Sequence, residues 1–163
     1  MSGYISTAIS TEWETPQWLY DKLDSVFHFE YDGACTEANS KAPVACTKEN
    51  FRTWDKNTFC NPPYGKEMEY FIISALNDHK FYHSDIVLLI PSSTEIKAWF
   101  DHIWENAKYI IFLEGRLKFE MNGKPAKSCI GKGSAVIVYT DRNIMKELEA
   151  LDLGKVIYLR GRG

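Results

Sequence analysis

Apolar and polar positions along the chain change period several times, and each change marks an element. Leu19, Leu23 and Val26 recur at helical spacing and predict a helix over 17–26. Thr15 stands as its N-cap and Pro16 at its first position. Residues 27–31 read as extended and end in Asp32-Gly33-Ala34-Cys35, while 36–42 fits either a short helix or a loop. Segments 51–55 and 58–60 lead into Asn61-Pro62-Pro63-Tyr64-Gly65, and a helical run over 67–77 follows. The unbroken apolar stretch 85–90 reads as a buried parallel strand and stops at Pro91-Ser92-Ser93. Ser93 or Thr94 caps a helix over 94–106 that turns Ile96, Trp99, Phe100 and Ile103 to one side. A strand over 109–113, a turn at 122–125, a strand over 134–139, a short helix over 143–150 and a strand over 155–159 complete the chain. Strands alternating with helices predict an α/β sheet, parallel at least in part, with the last strands paired antiparallel.

Composition narrows this picture. At 163 residues and 45% hydrophobic content, one domain over 1–163 with a substantial core is expected, its first ten residues free to flex. A net charge of -3 argues against a protein that coats a polyanion, though it leaves room for a local basic patch. No apolar run is long enough to span a bilayer, and residues 1–10 lack the basic and apolar regions of a secretory signal, so a cytoplasmic protein is expected. The four cysteines, Cys35, Cys46, Cys60 and Cys129, and the four histidines show no metal-ligand spacing. No metal is expected, and the cysteines read as free thiols, with Cys60 packed under the turn that follows it.

That turn carries the most chemistry. An amino group on an aromatic ring is a poor nucleophile because its lone pair is delocalised. Two hydrogen-bond acceptors aimed at its N–H bonds draw it toward a tetrahedral nitrogen. The Asn61 side-chain carbonyl supplies one acceptor and the Pro62 backbone carbonyl the other. Pro62 and Pro63 stiffen the backbone, so both acceptors are aimed before any ligand arrives. Tyr64 offers a flat face to a planar base, and Gly65 permits close approach or a positive φ. Asn, Pro and Gly are also ordinary turn residues; the strand before and the helix after favour the chemical reading, because open α/β sheets bind ligands at the carboxyl ends of their strands.

Other residues complete a candidate site. Asp32, followed by the small Gly33 and Ala34, stands at a strand end, where a carboxylate binds ribose hydroxyls or the positive end of a sulfonium ligand. It also fits a plain turn aspartate, and no Gly-x-Gly-x-x-Gly accompanies it. Thr15 and Pro16 border the same pocket or simply start a helix. Cofactor-binding candidates are therefore Thr15, Pro16, Asp32, Ala34 and Asn61. Arg116 and Lys118 flank Leu117 so that both can face one side of a strand, and Lys124, Lys127 and Lys132 follow in a glycine-containing basic segment; these are candidates for phosphate contacts. Of the five tryptophans, Trp54 and Trp99 are those expected near the pocket.

In this order the pieces resemble the phage-type DNA adenine-N6 methyltransferases, the small Dam-like family of bacteriophages and prophages. The matching stretches are Glu12-Trp13-Glu14-Thr15-Pro16, Asp32-Gly33-Ala34-Cys35 with Glu37-Ala38-Asn39, Cys60-Asn61-Pro62-Pro63-Tyr64-Gly65, Leu88-Leu89-Ile90-Pro91 and Gly115-Arg116-Leu117-Lys118-Phe119. The resemblance implies a Rossmann-like methyltransferase sheet, S-adenosylmethionine as donor, double-stranded DNA as partner and adenine N6 as acceptor. It implies Asn61, Pro62, Pro63 and Tyr64 as the catalytic turn. Turns of this type also serve methylation of RNA adenine or of a protein glutamine amide. A degenerate, non-catalytic DNA binder of the same fold is the remaining alternative.

Overall fold

The computed structural model of the chain describes residues 14–121, 124–125 and 131–159. The first ten residues, the turn residues Asn122 and Gly123, and Lys127 and Cys129 lie outside the described residues. Seven strands form one mixed sheet in the order β2-β1-β3-β4-β8-β5-β9. They are β1 (Tyr31–Asp32), β2 (Val44–Ala45), β3 (Thr58–Cys60), β4 (Ile86–Pro91), β5 (Tyr109–Leu113), β8 (Ser134–Tyr139) and β9 (Gly154–Tyr158). A separate hairpin pairs β6 (Glu120–Met121) with β7 (Lys124–Pro125). The helices are α1 (Gln17–Phe27), α2 (Met68–Tyr82) and α3 (Met145–Ala150).

The sheet has two halves. β2, β1, β3 and β4 run parallel, whereas β8 lies antiparallel between β4 and β5, and β9 pairs antiparallel with β5. The strand expected over 85–90 thus has one parallel and one antiparallel neighbour. It is buried on both faces, and so is β8, which is why both read as unbroken apolar runs. Along β4, Val87 and Leu89 join the core shared with α1 and α3, while Ile86, Leu88 and Ile90 join the core shared with α2. At the amino end of β4, the buried Asp85 carboxylate accepts from Thr140 Oγ1 at 2.6 Å and from Arg142 at 3.0 Å. No helix among the described residues is long and apolar enough to cross a membrane.

Three local expectations change and one open choice is settled. Thr15 does not cap α1: Pro16 holds the cap position, and the Gln17 N–H instead donates to Glu120 Oε1 at 3.2 Å. Backbone pairing of Glu14 with Glu120 brings that carboxylate to the helix N-terminus, where the partial positive charge of the helix favours it. Residues 36–42 form a tight loop, with the Thr36 N–H on Asn39 Oδ1 at 2.7 Å and the Asn39 N–H on Thr36 Oγ1 at 3.3 Å. The helix expected over 94–106 is a wide π-helical turn, Trp99–Ile103, closed by the Trp104 N–H on the Trp99 carbonyl at 2.9 Å. Trp99 and Ile103 are buried, but the wider winding carries Phe100 off their face and leaves it 63% exposed. α2 runs beyond the expected 67–77 and ends where His83 takes a left-handed conformation.

Candidate active site at the carboxyl ends of the parallel strands

A cavity of about 620 Å³ opens where β1, β2 and β3 end. That volume is in the range of small-molecule sites, and the position is where an open α/β sheet places its ligand. Strand register brings its two chemical centres together. Asp32 pairs with Phe59, and the Gly33 N–H donates to the Phe59 carbonyl at 2.7 Å, so Asp32 and Asn61 leave adjacent strands at nearly the same level. Both line the cavity, with Thr15, Ala34 and Pro63. Pro16 and Pro62 are buried and Tyr64 is half-buried, and none of the three is part of that lining.

Asp32 is 5% exposed. Its Oδ2 accepts the Lys41 N–H at 3.1 Å and its Oδ1 the Ala34 N–H at 3.4 Å. Burial outweighs these bonds and pushes its pKa up to about 6. No ion pair among the described residues neutralises this carboxylate: the nearby Lys41 ammonium, bonded to Gln17 instead, pulls its pKa down by less than burial raises it, and a cationic ligand fits beside it. The rest of the lining points the same way: Glu14, Asp32, Glu37, Glu49 and Glu67 face only Lys41 and Lys48. Burial, and then the neighbouring Asp32, pushes the Cys35 thiol up to about 12, and burial also raises that of Cys46, so the two cysteines of the lining are neutral thiols rather than nucleophiles.

The Asn61 turn is built as a rigid projection. No hydrogen bond ties the half-buried Asn61 side chain to another described residue, so its amide is available to a ligand. Pro62 and Pro63 are buried, Gly65 has φ 103°, and the Met68 N–H closes on the Gly65 carbonyl at 3.2 Å to start α2. Cys60 is fully buried beneath the turn. Tyr64 packs its edge into the core beside α2, and its hydroxyl is buried without a partner among the described residues. Whatever of Tyr64 stays accessible does not include its hydroxyl.

Trp54 and Trp99 both lie in the core and do not line the cavity. Trp54 floors it indirectly: a Cβ on Gly33 would come within 2.6 Å of Trp54 Cζ2, so Gly33 is fixed by packing against this ring. Trp99 stacks on Phe112 with ring centroids 6.2 Å apart. The basic candidates Arg116 and Lys118 are exposed, with Leu117 and Phe119 buried between and beside them. Lys124 is exposed on β7 and Lys132 is exposed beyond it; Lys127 lies outside the described residues. This extended basic stretch reaches the cavity wall, because Glu120 pairs with the lining residue Glu14.

Sequence reading missed most of the outer wall. Lys41, Thr47, Lys48, Glu49, Phe51 and Phe71 have no motif to mark them; folding of the loops after β1 and β2 collects the first five, and α2 brings in Phe71. Away from the lining, Glu69, Asp101 and His102 hold ligand atoms within 4.8 Å of one another, but the Lys97 ammonium already lies 2.6 Å from Asp101.

An α/β sheet with an Asn-Pro-Pro-Tyr projection beside a buried acid defines a class that sequence comparison identifies. The chain belongs to the family described as DNA N-6-adenine-methyltransferase (Dam), whose pattern matches residues 5–155. It is similar to the DNA N-6-adenine-methyltransferase of Escherichia phage T1, at 25% identity over 173 aligned residues, covering 93% of this chain and 69% of that protein.

Proposed function

We propose that this protein transfers a methyl group from S-adenosylmethionine to N6 of adenine in double-stranded DNA. The observation that carries the reading is the shared cavity in which a buried Asp32 without an ion-pair partner among the described residues and an untethered Asn61 stand on neighbouring strand ends. The donor fits the acid-rich lining, since it carries a sulfonium and an ammonium group. When bound, it supplies an electrophilic methyl carbon whose leaving group is a neutral thioether. On this reading the sheet is Rossmann-like and 1–163 is a single methyltransferase domain working in the cytoplasm of a bacterial host as a phage or prophage protein. Thr15, Pro16, Asp32, Ala34 and Asn61 form the donor side.

Adenine N6 is inaccessible to such a cavity while stacked in a duplex, so the base is extruded. The ring of Tyr64 then stacks on it. Asn61 Oδ1 and the Pro62 carbonyl accept the two N6–H bonds and leave the nitrogen lone pair to form the new C–N bond as the C–S bond breaks. The surplus proton on N6 passes to water, so no side chain of low pKa is needed as a base. Arg116, Lys118, Lys124 and Lys127 hold the phosphates.

The test is transfer from tritiated S-adenosylmethionine to unmethylated duplex DNA, with product nucleosides resolved. Label in N6-methyladenosine is the expected result. Label in RNA or in protein glutamine would replace the acceptor, and absence of donor binding would replace the enzyme with a DNA binder of the same fold.

A further inference from the structure

Glu120 occupies an electrostatically costly place. It sits in the basic stretch between Lys118 and Lys124, both exposed, where a carboxylate repels the phosphates that its neighbours attract. What it contacts accounts for its presence. Its backbone pairs with Glu14 of the cavity wall through two bonds, of 2.7 Å and 2.8 Å. Its Oε1 accepts the N–H of Gln17, the first residue of α1, at 3.2 Å. The Gln17 side chain donates to Asp21 at 2.8 Å, which orients its carbonyl to accept from Lys41 Nζ, also at 2.8 Å. The Lys41 N–H in turn donates to Asp32 Oδ2 at 3.1 Å. A line of hydrogen bonds therefore joins the basic hairpin to the buried carboxylate of the cavity, and Glu120 is where it leaves the hairpin.

We propose that Glu120 is a positioning residue that couples the two substrates: through Gln17 and Lys41 it holds the donor-cavity wall in register with the DNA-facing hairpin, so that duplex DNA and donor favour each other's binding. This rests on the methyl-transfer reading and deepens it. Anything that fixes the hairpin fixes Glu120, and with it the start of α1 and the loop that carries Lys41. By linkage the effect is reciprocal, with donor tightening DNA by the same factor as DNA tightens donor.

Calorimetric titration of the full chain with S-adenosylhomocysteine, with and without a short adenine-containing duplex, measures the coupling directly. In the unaltered protein DNA is expected to tighten the ligand by about fivefold or more. Glu120→Ala is expected to bring that factor close to one, and Glu120→Gln to keep most of it, because a glutamine carbonyl accepts the same bond from Gln17. Gln17→Pro is the second variant should Glu120→Ala not fold. Proline suits the first helical position, and it removes both the N–H used by Glu120 and the carbonyl used by Lys41; it is expected to abolish the coupling as well. A merely structural Glu120 would lower the melting temperature and leave the factor unchanged, which overturns the inference, as does ligand binding by the unaltered protein that DNA does not affect. No ligand binding at all in the unaltered protein would remove the functional reading and this inference with it.

Discussion

The parallel and antiparallel halves of the sheet are built to different standards. β4, β5, β8 and β9 have five or six residues each and pair along nearly their whole length. β1 and β2 have two residues each and β3 three. β4 and β8 bury apolar side chains on both faces, while the short strands stop early, β1 at Asp32 itself and β2 and β3 just before Cys46 and Asn61. Every short strand ends at the cavity. β4, β5, β8 and β9 thus act as the foundation, and the short parallel strands β1, β2 and β3 give up length to place polar groups at one level.

That division can be broken from either side. The largest expected effect is at the site. Asn61→Ala removes one of two acceptors for N6, and by analogy with loss of one preorganised oxyanion contact it should cut kcat by about 10²–10³. Because no other described residue bonds to the Asn61 side chain, the melting temperature should hardly move. Retention of full turnover would remove Asn61 from the mechanism. From the other side, Ile137 is fully buried in β8, paired with Leu88 and Ile110. Ile137→Ala should cost about 3 kcal/mol of stability, read as a lower urea midpoint, with donor affinity per folded molecule nearly unchanged at low temperature. A specific loss of donor binding there would mean that the two halves are not separable.

The same contrast explains what could be read from the chain beforehand. β5 and β8 begin and end at the expected residues because an apolar run buried on both faces is a strong local signal. The Asn61 turn was legible because its chemistry lies in five consecutive residues. The N-cap of α1 was not: Glu120 is 103 positions away from Gln17, and Thr15 in front of proline offered a local solution that the pairing of Glu14 with Glu120 displaced. The π-helical turn at Trp99 was missed because periodicity cannot see one extra residue per turn. Cavity residues such as Lys41 and Phe51 belong to loops whose shape depends on where Asp32 needs backbone donors.

Asp32 sharpens the comparison, since it is a polar group that the short strands bury without an ion pair among the described residues. Burial holds its folded pKa at about 6, against 3.8 for the ordinary carboxyl group. The folded state therefore binds the proton more tightly, and the associated stability is full below about pH 4 and lost as pH rises through 6. At neutral pH the ionised group costs about 2–3 kcal/mol. Asp32→Asn should recover about 1 kcal/mol at pH 7.5, the remainder being offset by the acceptor lost to a backbone N–H, and little at pH 4.5. Melting curves at the two pH values read this difference. Donor affinity should behave oppositely: about tenfold weaker at pH 5 than at pH 7 in the unaltered protein, and weak and flat with pH in Asp32→Asn. A variant that binds donor normally would make Asp32 a structural turn residue.

Tyr64 is the smallest and most discriminating case, because it joins the turn to the core beside α2. Its hydroxyl is buried with no partner among the described residues, and burial raises its pKa, so the oxygen neither donates within the described fold nor ionises near neutrality. An unsatisfied buried hydroxyl costs folding energy, so Tyr64→Phe should stabilise the protein by up to about 1 kcal/mol. If the ring face alone meets the extruded base, kcat should stay within about twofold of the unaltered value, while Tyr64→Ala, which removes the face, should lower it at least tenfold, in line with the ~1–3 kcal/mol of a base–aromatic stack. A tenfold loss in Tyr64→Phe would instead show that the hydroxyl leaves its buried position during the reaction, and the turn would then not be the rigid projection that its two prolines make of it.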